Sequence, residues 1–172
     1  MKLNKEDMIP FLTPKEIDEL VAKLARKIQD EYYGKELIMI CPLKGSVHFL
    51  ADLMRKLELK VIVDFVYLTS SGKGSVIKIS KDISENIVNK HVLVVEEIID
   101  SGRKLSFLKN RLLNANPATL KIACLLDKPA RRELPIKPDF IGKTIDDRYV
   151  VGYGMDQEEL GRNYSSIYHF KN

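Results

Sequence analysis

The chain has few residues that could form disulfides or metal–thiolate sites. Its 172 residues include two cysteines, Cys41 and Cys124, and each lies in an apolar run typical of a buried strand. The sequence contains no CxxC pair and no Cys/His cluster, and two thiols are too few for a disulfide scaffold. We therefore interpret both as reduced thiols in the core.

Long hydrophobic segments are also absent. Residues 1–6 lack the apolar stretch of a signal peptide, and no run reaches the roughly 18 apolar residues that a membrane span requires. The phosphate-binding patterns GxGxxG and GxxxxGK[ST] do not occur either, which argues against a Rossmann-like nucleotide binder. We expect a cytoplasmic protein without a membrane partner.

The sequence has no strong excess of one charge. It carries 28 basic and 24 acidic residues, a net charge of +4 that is spread along the chain. The densest basic stretch, residues 128–132, is too short and too interrupted for a nucleic-acid arm, so we expect no nucleic-acid partner. A mild positive balance suits a small anionic substrate.

Helix and strand signals alternate along the first 128 residues. Thr13, Pro14 and Glu16 predict a capped helix start, apolar residues at helical spacing follow to Ile28, and Gly34 closes the helix. Further helices are predicted at 47–57 and 104–113. Apolar runs that predict buried strands lie at 37–41, 61–68, 91–95 and 120–126. This pattern predicts an α/β fold with a mostly parallel twisted sheet flanked by helices.

Two stretches depart from this alternation. A Gly/Ser-rich loop at 70–75 precedes a predicted short strand at 76–79. After Lys128, prolines interrupt the chain, and residues 129–172 are predicted to form, with the N-terminal segment, a small hood over a core at about 14–128. The length predicts a single domain over residues 1–172.

The residues with the clearest chemical signal lie at 94–104. An apolar strand runs into Glu96 and Glu97, and after two apolar residues come Asp100, Ser101 and Gly102, where a helix begins. Backbone N–H groups at a helix N-terminus carry partial positive charge, and a glycine there lets an anion approach closely. The segment therefore predicts an anion cradle at the carboxyl end of a strand.

The paired carboxylates of Glu96 and Glu97 call for a different interpretation. Two carboxylates would repel a phosphate, so they fit sugar hydroxyls or a hydrated magnesium ion. A simpler interpretation is an acidic strand end in which Asp100 is the helix N-cap. The residue types alone leave both interpretations open.

Residues 94–102 resemble the phosphoribosyl pyrophosphate signature of type I phosphoribosyltransferases. The resemblance implies that this segment binds ribose and the 5′-phosphate through Glu96, Glu97, Ile99, Asp100, Ser101, Gly102, Arg103 and Lys104. The family usually has Asp where Glu97 stands and Thr where Lys104 stands. The first change adds a methylene, and the second replaces a hydroxyl with a cation.

The resemblance to the hypoxanthine-guanine branch of the family extends from about Glu36 to Ser165. Residues 42–45 resemble the pyrophosphate loop, which implies that Leu43, Lys44 and Gly45 bind pyrophosphate and that the Leu43–Lys44 peptide can be cis. Arg162 matches a basic residue near the pyrophosphate. Without the resemblance, Lys44-Gly45 would be interpreted as a plain turn.

Residues 126–129 and 149–156 resemble the base-binding segments. The resemblance implies that Lys128 donates to the 6-oxo group, that Tyr149 stacks on the purine, and that the Val150 backbone reads the base edge. Asp156 would lie at the purine and hold a second magnesium ion. By residue type alone, Lys128 would be a surface lysine and Tyr149 a half-buried strand residue.

The loop at 69–75 matches the place of the family's mobile lid. The family lid is long and carries a Ser-Tyr pair, whereas this one is short, with Ser70 followed by Ser71 instead of Tyr. A lid excludes water from a reactive sugar cation, so a shorter lid bears on catalytic efficiency rather than on reaction type.

Together these features predict transfer of the 5-phosphoribosyl group from phosphoribosyl pyrophosphate to N9 of hypoxanthine or guanine. Asp100 is the expected general base, and Mg²⁺ is the expected cofactor, held by Glu96, Glu97 and Asp156. Two alternatives stay open: a xanthine-preferring enzyme, and a non-catalytic regulator that senses phosphoribosyl pyrophosphate. The resemblance also implies a homodimer or homotetramer.

Overall fold

The computed structural model of the protein describes residues 5–70 and 76–171. In this part of the chain the helices are α1 (Pro14–Glu31), α2 (Val47–Met54) and α3 (Arg103–Leu113). The strands are β1 (Met8–Leu12), β2 (Glu36–Leu43), β3 (Lys60–Thr69), β4 (Lys78–Lys81), β5 (His91–Ile99), β6 (Thr119–Asp127), β7 (Phe140–Thr144), β8 (Val150–Val151) and β9 (Ile167–Phe170). No helix among the described residues has the length and apolar character needed to cross a bilayer.

The larger sheet has six strands in the order β4-β3-β2-β5-β6-β7. Strands β3, β2, β5, β6 and β7 run parallel, and β4 pairs antiparallel at one edge. The predicted mostly parallel sheet is therefore confirmed. From β2 the chain passes to β3 on one side and later enters β5 on the other, so ligands are expected in the crevice where β2 and β5 end.

Helices cover both faces of this sheet because successive strand residues point to opposite sides. Leu37, Met39 and Cys41 of β2 pack in one hydrophobic cluster with α1 and α2. Ile38 and Ile40 pack in a second cluster with α3. A strand buried on both faces explains the continuous apolar run seen in the sequence.

Both cysteines are buried and free, as expected. Burial raises the pKa of the Cys41 thiol to about 12 and raises the pKa of Cys124 as well. Neither thiol is therefore a thiolate near neutral pH, and both are core residues.

The predicted capping box at the start of α1 is confirmed. The Thr13 hydroxyl accepts from the Glu16 N–H at 3.3 Å, and the Glu16 carboxylate accepts from the Thr13 N–H at 2.8 Å. The helix ends at Glu31, and Gly34 follows in the turn with a φ of +72°.

Three elements have limits that differ from the predictions, and strand pairing decides two of them. The end predicted for the strand at 91–95 was wrong: β5 continues through Ile99, since Ile98 and Ile99 pair with Leu126 and Asp127 of β6. The predicted strand at 76–79 is instead β4 at Lys78–Lys81, where Ile79 pairs with Leu68. Helix α2 also ends at Met54, before the predicted residue 57.

A smaller antiparallel sheet has the order β1-β9-β8, and so joins the N-terminal segment to the C-terminal one. The predicted boundary near residue 128 was wrong for β7, which lies beyond it and pairs with β6 in the larger sheet. Leu12, Val150 and Ile167 from the smaller sheet share a hydrophobic cluster with Leu93 and Val95 of β5. We propose on this ground that the two sheets form a single domain.

Candidate active site

A cavity of about 750 Å³ opens where β2, β3 and β5 end. Most of the predicted site residues line it, although they come from distant parts of the chain. These are Leu43, Lys44, Gly45, Ser70, Glu96, Glu97, Ile99, Asp100, Ser101, Gly102, Arg103, Lys104, Asp156 and Arg162. The predicted purine residues Lys128, Tyr149 and Val150 are not part of this wall, and Ser71 lies outside the described residues.

Helix α3 begins at the cavity wall with Gly102 as its N-cap, at a φ of +80°. No side chain caps the helix there, so the interpretation of Asp100 as the N-cap was wrong. The Ser101 hydroxyl accepts from the Arg103 N–H at 3.4 Å. A side chain on Gly102 would overlap the Ile136 side chain. The first turn of α3 therefore lines the cavity with the end of the helix that carries partial positive charge.

Glu96 and Glu97 meet at the hydroxyl of Ser46, a fully buried residue that precedes α2. This hydroxyl lies 3.2 Å from Glu96 Oε2, contacts the Glu97 carboxylate, and accepts from the Glu97 N–H at 3.3 Å. Burial and the neighbouring Glu97 charge raise the pKa of Glu96 well above its ordinary value, and burial raises the pKa of Glu97. The positive charge of Lys104 acts in the opposite direction and lowers the pKa of Glu96.

The loop after β2 fits tightly against this carboxylate pair. The Leu43–Lys44 peptide is cis, as the resemblance implied. A Cβ on Gly45 would overlap the Glu97 carboxylate, so a larger residue there would require the Glu97 side chain to move. This observation gives Gly45 a structural reason beyond that of a plain turn.

A network of charges connects this loop to the C-terminal segment. Glu159 Oε2 lies 3.0 Å from Lys44 Nζ and 3.2 Å from Arg162 Nη2, and Arg162 Nη2 lies 2.7 Å from Asp156 Oδ1. Hydrogen bonds from Lys44 and Arg162 lower the pKa of Glu159. Arg162 also donates to the Gly154 carbonyl at 2.8 Å. Glu159 was not predicted, since an exposed acid in a turn gives no signal of its partners.

Asp100 lies at the cavity rim beside two arginines. Arg131 Nε is 3.1 Å from Asp100 Oδ1 and 3.6 Å from Asp147 Oδ1. Arg132 donates to the Asp100 carbonyl at 2.6 Å and forms an ion pair with Asp127. Hydrogen bonding to Asp100 raises the pKa of Arg131. Neither arginine was predicted as a site residue, although both lie in the basic stretch at 128–132.

The backbone of Lys128 lies close to Asp100. It is 5% exposed, so the interpretation as a surface lysine was wrong. Its N–H donates to the Ile99 carbonyl at 3.0 Å, which places Lys128 beside the residue that precedes Asp100.

The tyrosine predicted to stack on the base, Tyr149, is 55% exposed. Its hydroxyl donates to the Asp156 carbonyl at 2.9 Å, and its ring centroid lies 5.9 Å from that of Phe170. Val150, the next residue, is buried in β8, where it pairs with His169. Tyr149 thus presents an open ring face next to a fixed strand.

The cavity also contains residues that the sequence analysis did not select. Tyr67 and Thr69 lie at the end of β3. Glu133 pairs with Arg103 of α3 at 2.5 Å. Tyr67 and Thr69 could have been found, because they end a predicted parallel strand. Glu133 comes from an irregular stretch without such a signal.

The three predicted metal ligands do not share one position. Within residues 5–70 and 76–171, no group of three or more His, Cys, Asp or Glu side chains converges as a metal site. Glu96 and Glu97 adjoin each other, whereas the Asp156 carboxylate is paired with Arg162. The resemblance had assigned Asp156 to a second ion.

The cavity thus lies at a strand–helix junction at the carboxyl edge of a mostly parallel sheet. Residues 13–158 match the family described as "Phosphoribosyl transferase domain", so the chain belongs to the phosphoribosyltransferases. This confirms the resemblance drawn from residues 94–102.

Individual relatives and a solved structure are similar to this chain over most of its length. The chain is 42% identical over 158 residues to the hypoxanthine phosphoribosyltransferase of Buchnera aphidicola, covering 88% of this chain and 89% of the relative. It is 41% identical over 169 residues to that of Escherichia coli K12, covering 95% and 93%. A crystal structure of a hypoxanthine-guanine phosphoribosyltransferase from Bacillus anthracis superposes with a TM-score of 0.92 at 38% identity, covering 95% of this chain and 98% of that one.

Proposed function

We propose that this phosphoribosyltransferase acts in purine salvage, transferring the 5-phosphoribosyl group from phosphoribosyl pyrophosphate to N9 of hypoxanthine or guanine. The products are IMP or GMP and pyrophosphate. The observation that carries the proposal is the placement of the α3 cradle and the Glu96–Glu97 pair side by side in one cavity. Relatives named for hypoxanthine over nearly the whole chain support the choice of base.

The two ends of the sugar phosphate are assigned to the two sides of the crevice. The first turn of α3, with Ser101, Gly102 and Lys104, offers N–H, hydroxyl and ammonium donors to the 5′-phosphate. On the β2 side, Lys44 and Arg162 offer cations to the pyrophosphate. The ribose then lies between them, next to Glu96 and Glu97.

The carboxylate pair fits a hard divalent cation. Glu96 and Glu97 supply oxygen atoms at the cavity wall, the ligand type that Mg²⁺ prefers, and Mg²⁺ usually keeps waters and substrate oxygens as its other ligands. Mg²⁺ bound there would neutralise charge on the departing pyrophosphate. Asp156 stands on the pyrophosphate side with Arg162, where it would hold a second ion.

Asp100 is the proposed general base. As the C1′–O bond to pyrophosphate breaks, the bond from purine N9 to C1′ forms, and the proton on the imidazole edge of the base passes to the Asp100 carboxylate. Arg131, 3.1 Å from Asp100 Oδ1, orients this carboxylate at the rim. The developing sugar cation resembles that of glycoside transfer.

The test of this function is a steady-state assay of the purified protein with phosphoribosyl pyrophosphate and Mg²⁺. Hypoxanthine, guanine, xanthine and adenine are supplied separately, with and without EDTA. We expect turnover of hypoxanthine or guanine, none of adenine, and loss of activity in EDTA that added Mg²⁺ restores. Preferred turnover of xanthine, or binding of phosphoribosyl pyrophosphate without turnover of any base, would contradict the proposal and favour one of the two alternatives.

Replacing Lys128 with methionine should weaken binding of 6-oxopurines and narrow the discrimination against adenine. An ammonium donates to a carbonyl but not to an amino group, and loss of a charged hydrogen bond costs about 10–100-fold. The measurement is kcat/KM for hypoxanthine and adenine in the variant. Lys137→Met removes the same charge from an exposed lysine beyond the basic stretch and should leave the ratio of the two kcat/KM values unchanged. If Lys128→Met leaves the ratio of kcat/KM for hypoxanthine to kcat/KM for adenine unaltered, Lys128 does not donate to the 6-oxo group.

We also propose a homodimer or homotetramer. Val47 and Met54 of α2 are 39% and 38% exposed, and Val61, Val63 and Phe65 of the neighbouring β3 are only partly buried. Apolar side chains in such a group are typical of a surface that another copy covers. Light scattering on the purified protein measures the mass, and a monomer would contradict this proposal.

A further inference from the structure

The Glu159 carboxylate forms ion pairs with both cations on the proposed pyrophosphate side of the cavity. Glu159 Oε2 lies 3.0 Å from Lys44 Nζ and 3.2 Å from Arg162 Nη2. Carboxylate and phosphate oxygens seek the same donors, so an anion can bind these two cations fully only after Glu159 has left them. The contact is therefore in competition with the substrate.

The turn that carries Glu159 holds its backbone in place independently of these ion pairs. Glu158 and Glu159 have φ values of 52° and 68°, a left-handed conformation that non-glycine residues rarely adopt. The Glu159 N–H donates to Asp156 Oδ2 at 2.9 Å, and Gln157 and Leu160 exchange backbone hydrogen bonds at 2.9 Å across the turn. Strained backbone of this kind persists where the surroundings fix it, and it clusters at functional sites.

The side chains themselves are free to separate. The Lys44 and Glu159 side chains are 50% and 63% exposed, so the attraction between them is screened by water. Arg162 is 24% exposed and keeps Asp156 as a partner at 2.7 Å when Glu159 leaves. A multiply charged anion can therefore displace Glu159 without leaving Arg162 unpaired.

We propose that Glu159 is a built-in competitor, which occupies the pyrophosphate position in the empty protein and weakens pyrophosphate binding. In the enzyme, this competition favours departure of the product pyrophosphate. The inference rests on the proposed function, because it takes Lys44 and Arg162 as the cations that hold pyrophosphate. It adds that a carboxylate of the chain itself sets the affinity of this position.

The test compares Glu159→Gln with the unaltered protein in titrations with inorganic pyrophosphate and Mg²⁺, followed by calorimetry at low salt. Removing the competing charge should tighten pyrophosphate binding by about two- to tenfold, the effect of one or two exposed ion pairs. Pyrophosphate should become a correspondingly stronger product inhibitor, and the KM for phosphoribosyl pyrophosphate should fall. The gain should shrink as salt is added, because salt screens exposed charges.

Glu158→Gln is the matched control, since it removes the same charge from the neighbouring position of the same turn. It should tighten pyrophosphate binding less than Glu159→Gln does. Glu159→Asp keeps the charge with a side chain one methylene shorter, and should bind pyrophosphate no more tightly than Glu159→Gln. If Glu158→Gln and Glu159→Gln tighten pyrophosphate binding equally, the inference is overturned, because the effect then comes from the net charge of the protein.

Unchanged or weaker pyrophosphate binding in Glu159→Gln would also overturn it, and weaker binding would make Glu159 a residue that positions the cations. These results are separate from failure of the proposed function. That failure appears in the unaltered protein, as absence of purine turnover, whereas the inference depends on the difference between the unaltered protein and the variant.

Discussion

Replacing Asp100 with asparagine should lower kcat by about 10²–10⁴-fold, the usual contribution of a positioned general base. The amide keeps the shape of the carboxylate and cannot accept the proton from the imidazole edge of the base. The Asp100 side chain is 45% exposed, so we expect the fold to survive the change. Steady-state kinetics with hypoxanthine should show a much smaller effect on the KM for phosphoribosyl pyrophosphate than on kcat.

The control for this variant uses the arginine that Asp100 shares with another acid. Arg131 Nε also lies 3.6 Å from Asp147 Oδ1, so Asp147→Asn removes one carboxylate from the same arginine while leaving Asp100 in place. Asp147→Asn should reduce kcat only slightly. If both variants lose activity equally, Arg131 rather than proton transfer accounts for the loss. Normal turnover in Asp100→Asn would remove the base role.

Local signals in the sequence predicted the elements that place the cavity. The Thr13–Glu16 capping box, the buried strand of β2, and the change from strand to helix at 94–104 each depend on neighbouring residues. Parallel strands then bring their carboxyl ends to one edge, which is why Leu43–Gly45 and Glu96–Lys104 line the same cavity although about 50 residues separate them.

The contacts that complete the site could not be predicted in this way. Ser46 meets Glu97 across 51 positions, and Lys44 meets Glu159 across 115. Neither serine nor glutamate in a turn indicates its partner, because the pairing depends on how distant segments pack. Only the resemblance connected 149–162 with this cavity, and it did so for Asp156 and Arg162 but not for Glu159.

The predicted limits of the strands were wrong for a related reason. β5 extends to Ile99 because β6 offers pairing partners, and β7 joins the sheet although prolines precede it. The purine residues Lys128, Tyr149 and Val150 stay predictions, since the described cavity wall does not include them. The assignment of Lys128 depends on the Lys128→Met variant described above.

Replacing Gly154 with alanine should destabilise the protein by about 2–4 kcal/mol and raise the KM for phosphoribosyl pyrophosphate. Gly154 has a φ of +95°, and a Cβ there would overlap the carbonyl oxygen of Gly45. Backbone strain costs about 1–3 kcal/mol, and overpacking against atoms that cannot move aside adds a similar amount. Urea denaturation of the variant measures the free energy of unfolding.

Gly34→Ala separates the contribution of backbone strain from that of overpacking. Gly34 has a similar φ of +72°, but an added Cβ would meet no atom within 4 Å, so only the strain remains, about 1–2 kcal/mol. Gly34 is also remote from the cavity wall, and its variant should keep the KM for phosphoribosyl pyrophosphate. Equal destabilisation by the two alanines would mean that the close approach of Gly154 to Gly45 contributes nothing.

The effect of Gly154→Ala on KM follows from what this glycine connects. Its N–H donates to the Arg162 carbonyl at 2.9 Å, its own carbonyl accepts from the Arg162 guanidinium at 2.8 Å, and its Cα side faces Gly45. A side chain there must push the loop of Lys44 away from Arg162. Because both cations are needed at one pyrophosphate, separating them should weaken substrate binding even under conditions where the variant is fully folded.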